Sequence, residues 1–287
     1  MISLKDLRLA VFGPGLLGGS LLYDARVLGA RELRVWARRE AALDPVRAAG
    51  LADFVSTDAA EAAAGADVLV LCVPVGGMME LARKIAAAPV AEGAVFTDVG
   101  SVKGMVMREV APVLAAAGRQ FVGSHPMAGS ERAGFGAARA GLYQEAACIL
   151  TPAAGGDAKA VEKVRGFWEV LGCRVSEMDA ETHDRVVARI SHLPHVAAVL
   201  AALAALRSDP AAGQYAAGGL RDTTRVAAGD PDMWCGILLE NREALLPGLR
   251  DLGEALAHLT AAVESGDSGT LHAMLEEARR LRATRYP

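Results

Sequence analysis

The stretch GSHPMAGSERAG, residues 123–134, sets His125 between a serine and a proline in a glycine-rich segment. An imidazole titrates near pH 6.5, so a neutral His125 can take up a proton at ordinary pH with no environmental shift. TDVGSVKG (97–104) offers a hydroxyl at Ser101, and GGLRDTTRVAAGDPDMW (218–234) offers a guanidinium at Arg225. The planar guanidinium fork fits a carboxylate better than an ammonium does. Histidine, serine and arginine together suit hydride transfer to a nicotinamide, with a base removing a hydroxyl proton and a cation holding an acid group.

The nicotinamide is implied by VFGPGLLGGS, which puts Gly13, Gly15 and Gly18 in G-x-G-x-x-G spacing between a strand-like and a helix-like run. Gly13 permits a tight turn, Gly15 lets backbone approach a pyrophosphate, and Gly18 allows close helix packing. Pro14 lacks an N–H, so the anion donors fall to Leu16 and Leu17 at the helix start. Val73 and Pro74, closing the run DVLVLCVP, are assigned to the same cofactor. An acid usually ends the second strand to bond a ribose 2′-hydroxyl, but this segment reads VWARRE. Arg38 and Arg39 in that place predict a 2′-phosphate and hence NADP rather than NAD. The competing reading leaves both arginines on a solvated helix start.

Elements that would position these groups follow from the periodicity. Short β-branched runs at 7–13, 33–38, 67–74, 94–100, 120–126 and 147–152 alternate with Ala-rich helical stretches such as 17–29, 76–88 and 102–117. That alternation predicts an α/β fold with an N-terminal Rossmann-type, doubly wound parallel sheet, closed by a helix over 158–172 and a last strand to Met178. From residue 179 onward apolar residues recur at helical spacing, predicting an all-helical C-terminal domain. The expected division is 1–178 for the dinucleotide and 179–287 for substrate and dimerisation. Pro194 is expected to kink or break its helix.

Composition narrows the classes. Hydrophobic residues make up 52% and aromatics 5% of 287 residues, with a net charge of −4. No basic run suggests nucleic acid, and no stretch of eighteen uncharged apolar residues suggests a membrane. The start of the chain has no basic and apolar leader pattern, so a cytoplasmic location is expected. Cys72, Cys148, Cys173 and Cys235 stand without metal-ligand spacing, so no metal is expected and the thiols are read as reduced and buried. The Ala/Leu-rich helices carry more apolar surface than some hundred residues bury alone, which favours a homodimer.

Taken in order, DVGSVKG, GSHPMAGSE, SHLPH and LRDTTRVAAGDPDMW resemble the prephenate and arogenate (cyclohexadienyl) dehydrogenases of tyrosine biosynthesis. The resemblance runs from the glycine loop to about Asn241. It implies oxidative decarboxylation of prephenate or arogenate, to 4-hydroxyphenylpyruvate or tyrosine, with hydride passing to NAD(P). By that resemblance His125 is the base for the substrate hydroxyl, Ser101 orients His125 beside the nicotinamide, and Arg225 binds a substrate carboxylate. His192 is implied near the substrate, with His195 one turn on. Ser124, Glu131, Arg221, Asp222 and Trp234 fall around the substrate and dimer edge, where a salt bridge that gates entry is expected. The blander readings are a satisfied core histidine, interface ion pairs and a core tryptophan.

Two rivals share the architecture. A β-hydroxyacid-type dehydrogenase would place a catalytic lysine on the interdomain helix, yet 179–205 contains no lysine. A non-catalytic NADP-binding sensor dimer would keep the glycine loop but has no need of His125 or Arg225.

Overall fold

The computed structural model describes residues 2–285. Its strands are β1 (Arg8–Phe12), β2 (Glu32–Trp36), β3 (Phe54–Ser56), β4 (Val68–Leu71), β5 (Val95–Asp98), β6 (Gln120–Pro126), β7 (Ala147–Thr151) and β8 (Arg174–Glu177). They form one sheet in the order β3-β2-β1-β4-β5-β6-β7-β8. All neighbours are parallel except β6 and β7, which pair antiparallel with His125 opposite Ile149.

Successive side chains of a strand point to opposite faces, so Leu9 and Val11 enter the core on one side while Ala10 and Phe12 enter the core on the other. Val68 and Val70 share the first core, Leu69 and Leu71 the second. Helices cover both faces, which is why these strands read as unbroken apolar runs. The expected strands all form. β3 is an addition: three half-buried residues at the sheet edge leave too short a pattern to detect.

The departure from an all-parallel sheet has a local cause. An antiparallel pair needs no crossover helix. The segment between β6 and β7 instead carries one short 3-10 turn, Phe135–Ala137, and lies along helix α1 (Leu16–Val27). Tyr143 donates its hydroxyl to Leu17 O (2.7 Å), the Arg139 N–H donates to Ser20 Oγ (3.0 Å), and the Gly141 N–H to Asp24 Oδ1 (2.6 Å). A Cβ on Gly19 would come within 2.7 Å of Ala138 Cβ, so this glycine lets the segment lie close.

Two prolines follow a π turn inside a helix without ending it. The helix predicted over 102–117 contains a π turn, Val106–Val110, just before the segment Ala111–Ala116 with Pro112 in its first turn. Likewise a π turn, Ala188–His192, precedes Leu193–Leu206 with Pro194 in its first turn. The wider turn re-registers the hydrogen bonds so that the missing proline N–H falls where no partner is needed. The break expected at Pro194 is therefore a π turn in one continuous helix, Ala180–Leu206. By length and mean hydropathy (1.6) that helix passes a composition test for a membrane span that allows charged residues, although Arg189 interrupts its apolar run. It also carries His183, Asp184, His192 and His195, all buried against protein.

Two compact units divide the chain at Met1–Asn241 and Arg242–Pro287. The first unit holds the sheet together with the helical stretch after Met178, because Asp184 on that stretch accepts from the Lys103 and Gly104 N–H groups (2.7 and 2.8 Å). The second consists of helices Arg242–Ser265 and Ser268–Arg285, joined at Gly266, whose φ of +68° suits glycine. The four cysteines are free, but not all buried: Cys235 is exposed and Cys72 half-buried. Among the described residues no cluster has the ligands for a metal.

Candidate active site

The parallel strands bring the ends of β1, β4, β5 and β6 to one edge of the sheet, where open α/β sheets bind ligands. From β1 to β6 is three strand spacings, about 14 Å. A molecule extended along that edge meets both the glycine loop and His125.

At the β1 end the loop is shaped by contacts that exclude side chains. Gly13 has φ +107°, and a Cβ there would lie 2.7 Å from Cys72 O. A Cβ on Gly18 would lie 2.1 Å from Gly13 O, an impossible approach. Gly15, the residue before α1, faces open space. The first-turn N–H groups of α1, including those of Leu16 and Leu17, have no intrahelical partners, so they and the helix dipole favour an anion there. Val73 and Pro74 follow β4 beside this loop, with Val73 Cγ1 at 3.1 Å from where a Gly13 Cβ would be. These features fit a dinucleotide pyrophosphate. Past β2, Arg38 and Arg39 are both exposed, and neither side chain makes a hydrogen bond or ion pair with a described residue. Arg38 does act at longer range on Glu80, whose carboxyl is lowered chiefly by a hydrogen bond with Lys84.

At the β6 end His125 is 7% exposed. Its Nδ1 lies 2.9 Å from His183 Nε2, and His183 Nδ1 lies 2.8 Å from Asp184 Oδ1. Burial lowers the His125 pKa well below the ordinary imidazole value, and His183, Lys103 and His192 add to the effect. Below this chain of rings sits Lys103, wholly buried, with its ammonium on the Asp98 carboxylate and on Ser124 O. Burial lowers its pKa, and the Asp98 charge opposes that shift.

The expected site residues separate by environment. Ser101 is half-buried near this edge but makes no hydrogen bond to His125, and the partner that orients the ring is His183. Ser124, expected at the substrate, is fully buried with its hydroxyl held by Thr97 Oγ1, Asp98 O and the Trp168 indole N–H. With no exposed surface, its proton on Asp98 O and a lone pair taken by Trp168, it secures β6 to β5 rather than touching a ligand. His192 Nδ1 accepts from Asn241 Nδ2 (3.1 Å), and its other ring nitrogen is buried without a partner. Burial pushes its pKa down to about 4. His195 stacks on Trp234, ring centroids 3.5 Å apart and planes 7° from parallel, and Trp234 meets His192 edge-on. Arg225 donates to Glu131 Oε2 at 2.7 Å. Arg221 pairs instead with its exposed neighbour Asp222 at 3.1 Å.

Sequence reasoning missed His183, Asp184, Lys103 and Asn241. Lys103 stood in the quoted DVGSVKG, and His183 and Asp184 stood adjacent in ETHDRVV. A His-Asp pair at a helix start reads as two solvated side chains until the helix is known to abut the sheet edge.

Family models for the prephenate dehydrogenase nucleotide-binding domain and the prephenate dehydrogenase dimerization domain match residues 35–177 and 179–277. The chain belongs to the prephenate dehydrogenase family. Cyclohexadienyl dehydrogenase of Zymomonas mobilis is 36% identical over 279 residues, spanning 96% of this chain and 94% of that protein. The structure of prephenate dehydrogenase from A. aeolicus in complex with hydroxyphenyl propionate and NAD+ superposes with a TM-score of 0.88 at 30% identity, covering 99% of both chains. Synechocystis arogenate dehydrogenase superposes with a TM-score of 0.79 at 27% identity, over 97% of this chain and 100% of that one. As a prephenate dehydrogenase family member the chain is an NAD(P)-dependent oxidoreductase with the fold read from its sequence.

Proposed function

We propose that this chain oxidatively decarboxylates a cyclohexadienol acid, prephenate or arogenate, with His125 as the base and NADP as the preferred hydride acceptor. The observation that carries this reading is a buried, neutral-favouring histidine on the same sheet edge as a glycine loop shaped for a pyrophosphate. The bound nicotinamide supplies the hydride acceptor. As the C4 hydride leaves, His125 takes the proton of the C4 hydroxyl. The ring carboxylate then departs as CO₂, its bonding electrons completing the aromatic ring, and the proton returns to the phenolic oxygen. Neutral His125 is the form able to act, and burial favours that form.

Arg225 is assigned to a substrate carboxylate. Its ion pair with Glu131 is largely exposed, with the arginine side chain 58% accessible, so it holds the guanidinium only weakly against a competing carboxylate. His192, with an unpartnered buried ring nitrogen, and Trp234 are assigned to the substrate side; Arg221 and Asp222 stay at its rim. Ser101 is assigned to the nicotinamide side. The NADP preference rests on Arg38 and Arg39, exposed and unpaired where an acid would bind a ribose hydroxyl. Residues 1–178 are read as the dinucleotide domain and 179–287 as the helical substrate and dimerisation domain.

The partner is read as a second copy of the chain in the cytoplasm. Leu200 and Leu203 in the first unit, and Leu256, Leu259 and Val263 in the second, are large apolar side chains left exposed. Such surfaces mark association sites. The test is formation of reduced nicotinamide with prephenate and with arogenate, each paired with NAD⁺ and NADP⁺. Turnover in at least one pairing, fastest with NADP⁺, supports the reading; no turnover in any pairing overturns it.

A further inference from the structure

The ring nitrogens of His125, His183 and the carboxylate of Asp184 form a chain whose proton positions can be read off from its anchored end. Asp184 Oδ1 accepts the Lys103 N–H at 2.7 Å, and Oδ2 accepts the Gly104 N–H at 2.8 Å. A carboxylate accepting from two amides is acceptor-only, so the 2.8 Å contact with His183 requires the proton on His183 Nδ1. Burial keeps His183 neutral by lowering its pKa, against the opposing pull of Asp184. A neutral ring protonated at Nδ1 carries its lone pair on Nε2. The 2.9 Å contact to His125 therefore requires a proton on His125 Nδ1, which leaves His125 Nε2 with the lone pair.

We infer that His183 and Asp184 are positioning residues that lock His125 in the Nδ1–H tautomer, so that Nε2 is the atom that takes the substrate proton. This rests on the assignment of His125 as the base. The groups facing the relay are Lys103 and His192 around His125, and Lys103, Asp98 and Asp184 around His183. Among them the His183 lone pair is a hydrogen-bond acceptor for the imidazolium that forms on proton uptake. His183 thus stabilises the charged His125 as well as orienting the neutral one. The site for Asp184 is also built: a Cβ on Gly104 would lie 2.7 Å from Asp184 Oδ2, so glycine at 104 is what lets the carboxylate reach both amides.

Three variants and one spectrum test the relay. In His183→Phe the acceptor is lost, and kcat falls by about a hundredfold, the low end of what positioned proton transfer contributes, with KM within about threefold. Its acidic limb moves to lower pH, because the imidazolium has lost its acceptor. In His183→Gln the amide oxygen can stand in for Nε2, and kcat recovers to within about tenfold of the parent. Wild-type kcat and pH profile in His183→Phe would overturn the relay, as would equal losses in the Phe and Gln variants. His125→Asn, assayed alongside, separates the two ideas. If it stays active the base assignment fails, whereas if it is dead while His183→Phe is normal only the relay fails. The ¹⁵N shifts of the histidine rings in the intact protein need no variant at all. A protonated Nδ1 and bare Nε2 on both His125 and His183 is the expected result, and an Nε2–H tautomer on His125 contradicts the relay.

Discussion

Arg225 holds Glu131 at 2.7 Å, joining the helical segment after Gly218 to the stretch that follows β6. The guanidinium assigned above to a substrate carboxylate therefore already has a carboxylate partner, in an exposed pair that is easily exchanged. On that assignment Glu131 would keep the arginine in place until substrate arrives.

If the exchange operates, Arg225→Ala raises KM by roughly 10- to 100-fold, the worth of a charged hydrogen bond, with kcat within a few-fold. Arg225→Lys recovers part of the loss, since an ammonium is a point charge without the fork. Steady-state kinetics checks both, and an unchanged KM in Arg225→Ala reassigns the carboxylate contact.

Cofactor choice is tested at the end of β2. The double change Arg38→Ala with Arg39→Ala lowers kcat/KM for NADP⁺ by roughly 10- to 100-fold and leaves NAD⁺ nearly untouched. A wild-type enzyme that uses NAD⁺ at least as well as NADP⁺ refutes the arginine assignment.

Two glycines in the same loop carry opposite expectations. Gly18→Ala forces a Cβ to 2.1 Å from a backbone oxygen and lowers the melting temperature together with cofactor binding. Gly15→Ala meets open space in the protein, so the fold is kept. Its methyl group occupies ground meant for the pyrophosphate, and cofactor affinity drops roughly tenfold or more, about 1.4 kcal/mol. Thermal melting with and without NADP⁺ distinguishes the pair; equal melting of both variants would count against the geometry.

Stability should fall on mild acidification. His192 is depressed to about 4, and His125, His183 and His195 are also lowered, in each case first by burial. An unfolded chain titrates these groups near 6.5. Stability is therefore full above about pH 6.5 and is lost as pH falls towards 4, because the unfolded state takes up protons the folded state refuses. His192 alone contributes about 3 kcal/mol to that slope, at 1.36 kcal/mol per unit. Urea midpoints between pH 7.5 and 4 follow this slope, and a flat profile would show that the histidines are solvated.

Much of the architecture was legible because strands buried on both faces announce themselves as apolar runs, and β6 was predicted over the residues it occupies. β3, with three half-buried residues, offered no such run. Two parts of the candidate site were legible as positions: the glycine loop, whose close contacts need glycine at fixed spacing, and His125, whose motif runs off a strand at the sheet edge. The site was not legible where chemistry depends on residues meeting from distant segments. His183 is 58 positions from His125, and Lys103 is 81 from Asp184. Ser124 shows the converse: its place in a motif suggested a ligand contact, whereas its hydroxyl is spent on Thr97, Asp98 and Trp168.

With His125 as the base, hydride and CO₂ are lost in one coupled reaction. The most direct measurement follows both products from substrate labelled at the ring carboxylate, in wild type and in His125→Asn. Labelled CO₂ and reduced nicotinamide are expected in equal amounts from the wild type, with both rates down together by roughly 10² to 10⁴ in the variant and substrate binding retained. Wild-type rates in His125→Asn, or reduced nicotinamide formed without CO₂, would contradict it.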